Sequence, residues 1–513
     1  MLESYRQYIN GDKAVIPNGV EIIEGKAFRG CIGIKSIEMP DSVKKIENDA
    51  FSNCTELINI VIPNSVKEIG ENAFCDCTAL TDIEIPNSVI SIGKGAFKGC
   101  DELSNITISN SITAIEDDVF NGCSRLSSIE IPDNVLKIGQ NAFRSCTSLS
   151  SIDIPNSVIE IWDNAFRGCT GLTSVKIPDS MTEIWEFVFT GCTALASIEL
   201  PNSLMAIGDY AFSGCTSLTN IVLPNSLTEI WDYAFEGCTG ITTIDIPNSV
   251  TKIRKDAFRG CTGLSNIEIP DSVTDIDESA FSGCTNLIKI TVSTDNPSYK
   301  AEGNCLLDKE GKKLITGCKE SVIPNSVSEI GDNAFFACTG LTGITIPNSV
   351  TKIGKDAFRG CAEITSIYIP DSVTEISESA FAGCAGLTSI IVSPDNPSFK
   401  EENNCLLDKD GKRLIKGCMT SIIPDSVTEI GNYAFYGCSD LSEIKIPENV
   451  CRIGHEAFYR CTGLTSIEIP DSMKEIGYSA FSECINLSNI KMPENVEKIE
   501  EYAFYGCPGV VMA

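Results

Sequence analysis

Apolar and polar positions recur along the chain with a period of 23 residues. Residues 261–283, CTGLSNIEIPDSVTDIDESAFSG, show one unit. Ile267-Glu268-Ile269 alternates apolar and polar, the period of a half-buried strand. Pro270 ends it, and Asp271-Ser272 supplies turn chemistry. The apolar pattern resumes at Val273 and Ile276. Ala280 and Phe281 then fall in a segment too brief for a free-standing helix, which predicts a single helical or 3₁₀ turn. Cys284 and Leu287 lead back inward. No single copy can bury its Leu, Ile, Val, Phe and Cys alone, whereas stacked copies can. The pattern therefore predicts an α/β repeat solenoid held mainly by contacts between neighbouring copies.

Cysteine marks the same place in each copy, every 23 residues from Cys31 to Cys284, again from Cys338 to Cys384 and from Cys438 to Cys507. The rhythm breaks twice in the same way, at DNPSYKAEGNCLLDKEGKKLITGC and DNPSFKEENNCLLDKDGKRLIKGC. In the second, apolar runs flank Asp410-Gly411, a two-residue hairpin signal. A β-hairpin protruding from the solenoid is predicted at about 293–318 and 393–418. Lys309, Lys312, Lys313, Lys409, Lys412 and Arg413 lie at the tips. They read either as edge charges that discourage strand addition or as a basic contact for an anionic partner.

The unit is similar to BspA-like leucine-rich repeats of the treponemal and Bacteroides type, over about residues 14–507. The resemblance implies a right-handed, curved solenoid with a parallel β-sheet on its concave face and a role in binding or adhesion. It implies no catalytic residues. Residues 1–30 would form an N-terminal cap and first partial repeat, 31–507 the solenoid and 508–513 a tail. It also implies an extracellular or cell-surface location. The opening MLESYRQYINGDKAV has neither the basic nor the apolar region of an export signal, and the alternative location is the cytoplasm.

Charge narrows the partners. The 513 residues carry a formal net charge of −31, which repels a nucleic-acid backbone or an anionic membrane surface. No apolar stretch approaches the roughly 20 residues that span a bilayer, so neither nucleic acid nor membrane insertion is expected. The 25 cysteines are odd in number. Equivalent side chains on stacked copies point the same way at roughly 4.8 Å, while a disulfide needs Cβ atoms converging to about 3.8 Å. Free, buried thiols acting as small apolar spacers are expected. The sole histidine, His455, has no convergent ligand set around it, so no metal site and no cofactor is expected. The polar residue of the strand motif, from Glu38 and Glu84 to Glu268, predicts an acidic column with diffuse counterions. It lacks the convergent oxygens of a Ca²⁺ site.

One column stands out. After the isoleucine of the second strand the chain reads Gly70, Gly93, Glu116, Gly139, Trp162, Trp185, Gly208, Trp231 and Arg254. Two residues further on, the turns from Trp162 to Trp231 carry Asn164, Phe187, Tyr210 and Tyr233. A position that accepts Gly, Glu, Arg and Trp is not a tightly packed core site. Trp162, Trp185, Phe187, Tyr210, Trp231 and Tyr233 are thus candidate partner-binding residues. Two readings remain: rings that close packing gaps, or an interface or sugar-binding surface of the kind that uses aromatics in register. A second group, Tyr433, Tyr478 and Tyr502 in one column with Tyr436, Tyr459 and Tyr505 after the recurring Phe, reads as protection for the last turns before the thin ending CPGVVMA.

General acid–base and nucleophilic chemistry need unlike groups held together. No copy breaks the repeat in that way. His455 occupies a column filled elsewhere by Asp, Glu, Lys or Asn. The reading is a non-enzymatic solenoid that binds a protein or glycan ligand, with an intracellular repeat scaffold as the alternative.

Overall fold

The computed structural model describes residues 7–508. The chain divides into two compact units, residues 1–261 and 262–513. The expected cap begins and the expected tail ends outside the described residues.

In the first unit, short strands stack in parallel, each one repeat from the next. Ser36–Glu38, Asn59–Ile60, Asp82–Glu84 and Asn105–Thr107 form one ladder, with Ile37 opposite Ile60 and Ile83 opposite Ile106. A second ladder joins Ile22–Ile23, Lys45–Ile46, Glu68–Ile69 and Ser91–Ile92. The register equals the sequence period, so each side chain sits on its own equivalent in the next coil. An antiparallel pair, Ile9–Asn10 with Lys13–Val15, opens the first ladder.

The segments expected to be helical or 3₁₀ are neither; no helix occurs among the described residues. The backbone explains why. Ala73 N and Cys75 N donate three residues back, to Gly70 and Asn72. The alternate donors, Phe74 N and Asp76 N, reach Ala96 O and Lys98 O of the next coil at 2.8 and 2.7 Å. Asn72 and Asp76 hold φ at 52° and 57°, and left-handed residues four apart cannot continue an α-helix. This side of the coil is a run of turns cross-bonded to its neighbour.

Inside, phenylalanines form a continuous stack from Phe28 to Phe258, with ring centroids 5.3 to 5.9 Å apart. The second unit repeats this from Phe435 to Phe504 at 5.0 to 5.2 Å. The cysteines are free, and they do more than fill space. Cys77 Sγ donates to Phe51 O at 3.2 Å, and Cys169 to Phe143 O at 3.1 Å. Each of these thiols satisfies a buried carbonyl of the preceding coil. Burial pushes Cys54 and Cys192 up to about 12, which makes the ladder inert toward electrophiles. Cys31, Cys75, Cys451 and Cys507 are only partly buried. A thiol reagent is expected to reach no more than these four in the folded protein and all 25 in denaturant. Cys507, held below the usual thiol range by its neighbour Cys484, should react at the lowest pH. Native labelling of Cys123 or Cys238 would refute the buried ladder.

In the second unit each interruption forms antiparallel hairpins. Tyr299–Glu302 pairs with Cys305–Asp308, which pairs with Lys313–Thr316. The last strand joins Glu329–Ile330 in parallel, so the insert is rooted in the ladder. Cys305, Leu307 and Leu314 are fully buried at its base. The connection is longer than the two-residue loop expected. Asp408 accepts from Lys412 N and Arg413 N at 2.8 and 3.0 Å, and Gly411 takes φ 71°. Four of the six tip cations are engaged within the unit. Lys313 meets Glu278 at 2.6 Å and Glu329 at 3.4 Å; Arg413 pairs with Glu378 and Glu429. Lys309 and Lys409 donate to the carbonyls of Asn296 and Asn396. Lys312 and Lys412 are exposed at the tips.

A candidate binding surface of stacked aromatics

The strip lies in the first unit, where strands end and turn runs begin. Trp185 follows Glu183–Ile184 and Trp231 follows Glu229–Ile230; both strands flank Ala206–Ile207 in one parallel ladder. Trp162 and Trp185 stack with centroids 5.9 Å apart and planes 4° apart. They are 39% and 41% exposed, so each ring is partly covered by its neighbours and partly open to solvent. Trp162 Nε1 donates to Glu160 at 3.0 Å. Gly208 then interrupts the column, because a Cβ there would meet Ile184 O at 2.9 Å. Trp231 stands apart, half-buried, beneath the Arg254 guanidinium at 5.5 Å.

The second column is unbroken. Phe187 stacks on Tyr210 at 4.8 Å and Tyr210 on Tyr233 at 4.4 Å. Their backbones hold φ at 60°, 56° and 58°. Bulky side chains avoid this region; equivalent coils place Asp118, Asn141 and Asn164 there. Cations flank both columns: Lys137 lies 4.7 Å from Trp162, Arg167 5.5 Å from Phe187 and Lys255 5.7 Å from Tyr233.

Between the columns runs a line of carboxylates that the sequence reading missed, Asp163, Glu186, Asp209 and Asp232. Burial and then neighbouring acids raise Glu186 and Asp209 above the usual carboxylate range. Asp209 and Asp232 also bind the next coil, accepting from Asp232 N at 3.0 Å and Lys255 N at 3.2 Å. The signal was present in Trp-Glu-Phe and Trp-Asp-Tyr, where an acid separates the two aromatic positions. Flat rings, carboxylate acceptors and flanking cations can stack, accept hydrogen bonds and pair with charge. The expected acidic column on the strand face is interspersed with other residues, as its sequence reads. Val61 and Val222 are 76% and 75% exposed within it, and Lys13 pairs with Glu38.

The tyrosines near the C-terminus do not share one column. Tyr433 and Tyr502 hold φ 59° at the left-handed position, and Tyr478 sits one residue earlier in its coil. His455 Nδ1 lies 3.1 Å from Glu500 and accepts from Tyr478 N at 3.1 Å.

The sequence matches the model of the BspA type leucine-rich repeat region in six copies, the first four overlapping, spanning 3–127, 67–196, 113–239, 182–302, 315–405 and 416–511. A leucine-rich repeat protein from Bacteroides ovatus is 26% identical, with 90% of this chain and 87% of that one covered and a TM-score of 0.40. A leucine-rich cell surface protein from Faecalibacterium prausnitzii is 29% identical, covering 83% of each chain, with a TM-score of 0.34. The Treponema pallidum leucine-rich repeat protein is 29% identical over 41% of this chain and 84% of its own, with a TM-score of 0.31. No curated protein matches.

Proposed function

The chain belongs to the BspA type leucine-rich repeat family, and from that membership we propose a non-enzymatic binding solenoid, displayed at a cell surface for adhesion. It recognises a protein or glycan ligand through Trp162, Trp185, Phe187, Tyr210, Trp231 and Tyr233. The observation that carries this reading is the set of three large rings held at positive φ in successive coils. Each such residue costs on the order of 1–3 kcal/mol, while each ring pair returns about 0.5–1.5 kcal/mol. Asn or Asp, used at this place as Asp118, Asn141 and Asn164, would avoid part of that strain. Strain kept where a smaller residue serves elsewhere favours a surface selected for contact.

All three tryptophans lie in the strip, so emission excited at the red edge of the band reports on it alone. Ligand binding is expected to change that emission. Trp185→Ala with Tyr233→Ala should weaken binding by more than about 2 kcal/mol with an almost unchanged melting transition; unaltered affinity would leave the rings a packing role. Protease treatment of intact and lysed producing cells tests location. Cleavage only after lysis would support the intracellular scaffold instead, which the free cysteines favour because such thiols suit a reducing compartment.

A further inference from the structure

A second aromatic surface lies in the other unit, independent of the strip. An open surface concavity of about 550 Å³ is lined by Tyr436, Tyr459, Tyr478, Tyr502 and Tyr505, with Arg359, Glu456 and Glu483 among the charged residues of its wall. Tyr478, Tyr502 and Tyr505 are 42%, 55% and 60% exposed.

We propose that this cavity binds a small quaternary ammonium group. Three observations carry it. First, the walls form a corner: the Tyr502 ring stands at 84° to Tyr478 and at 87° to Tyr505, with centroids 5.7 and 5.9 Å away. A planar guanidinium stacks on one face, whereas perpendicular faces touch a globular cation from several sides. Second, these rings already receive cations of the chain. Arg359 lies 4.7 Å from the Tyr436 ring and Arg460 5.3 Å from Tyr459, which leaves the corner rings for an external one. Arg359 brings little free charge, because Asp356 pairs with it at 3.2 Å. Glu456 and Glu483 give the wall its negative sign. Third, four lining residues hold positive φ: Glu456 at 52°, Ser479 at 52°, Glu483 at 61° and Tyr502 at 59°. Most other coils use Asn, Asp or Gly at these places, and backbone strain of this kind collects at ligand clamps. A quaternary ammonium donates no hydrogen bonds, so aromatic faces and nearby carboxylates meet its whole demand.

The test is calorimetric titration of the full chain with choline chloride, alongside 3,3-dimethylbutan-1-ol, which has the same shape without the charge. Choline should bind at least about tenfold more tightly than the alcohol. Tyr502→Ala should lose about tenfold in affinity, Glu483→Gln several-fold, and Tyr502→Phe less than about threefold. Tyr478→Ala should reproduce the loss if Tyr502→Ala disturbs the last coil. Tryptophan emission comes only from the first unit and should stay constant, which separates this site from the strip. Equal affinity for choline and the alcohol, no choline heat at about 10 mM, or a choline isotherm indifferent to both alanine variants would each overturn the proposal.

Discussion

Phe189→Ala is expected to destabilise the first unit by about 3–5 kcal/mol. Phe189 is fully buried, with Phe166 and Phe212 stacked on either side, each 5.5 Å away and nearly parallel to it. Truncation removes a ring that two neighbours share, so it weakens two interfaces of a stack whose stability is a sum over neighbours. The substitution leaves the backbone bonds in place, since Phe189 N donates to Ala211 O at 2.8 Å regardless of side chain. The loss therefore isolates the ring. Urea unfolding followed by far-ultraviolet circular dichroism measures it. Trp185→Ala, removing an exposed ring four residues away, should cost less than about 1 kcal/mol. Equal costs for the two would mean that the phenylalanine stack is not the dominant core.

The inner face was legible because its code is local and repeated. The 23-residue period fixed which residues face inward, and the parallel register of Ile37 on Ile60 and Ile60's successors follows from it. The free thiols followed from the spacing alone. The turn runs were not legible as such, because Phe74 N finds its partner at Ala96, 22 residues later, and local propensity carries no trace of that bond. The recurrence of Asn, Asp or Gly at positions such as 72, 76, 95 and 99 was the available clue, since these residues tolerate positive φ. The ion pairs of the tip cations were not legible for a related reason: Lys313 is met by Glu278, in an earlier coil. In the strip, the columns predicted the stacks, but Gly208 separates Trp231 from the tryptophan pair and the carboxylates between the columns went unseen. Polar pairings across coils depend on rotamers, which a periodic pattern does not encode.

Asn396→Ala should cost the second unit about 3–5 kcal/mol, more than its size suggests. Asn396 is fully buried at the start of the second insert, and its amide makes four hydrogen bonds. Nδ2 donates to Pro370 O at 2.6 Å and Val373 O at 2.9 Å; Oδ1 accepts from Ser398 N at 2.9 Å and Phe399 N at 2.7 Å. Asn296 repeats all four bonds in the first insert, which explains the DNPS that opens both. Alanine would strand two buried N–H groups, each costing about 1–3 kcal/mol. Asn396→Asp separates the two halves of the amide. It keeps an acceptor for Ser398 and Phe399 but turns a carboxylate oxygen toward two carbonyls, so its folded pKa should rise above the usual 3.9 or so. A raised folded pKa means that the protonated form suits the fold. The aspartate variant should be weak at pH 7 and partly recover as pH falls toward about 4, whereas the alanine variant should not recover. Urea titrations at both pH values, with amide exchange of residues 396–418, decide the matter. An alanine variant within about 1 kcal/mol of the parent chain, or an aspartate variant that weakens further on acidification, would show that the insert is held by its buried leucines and not by this amide.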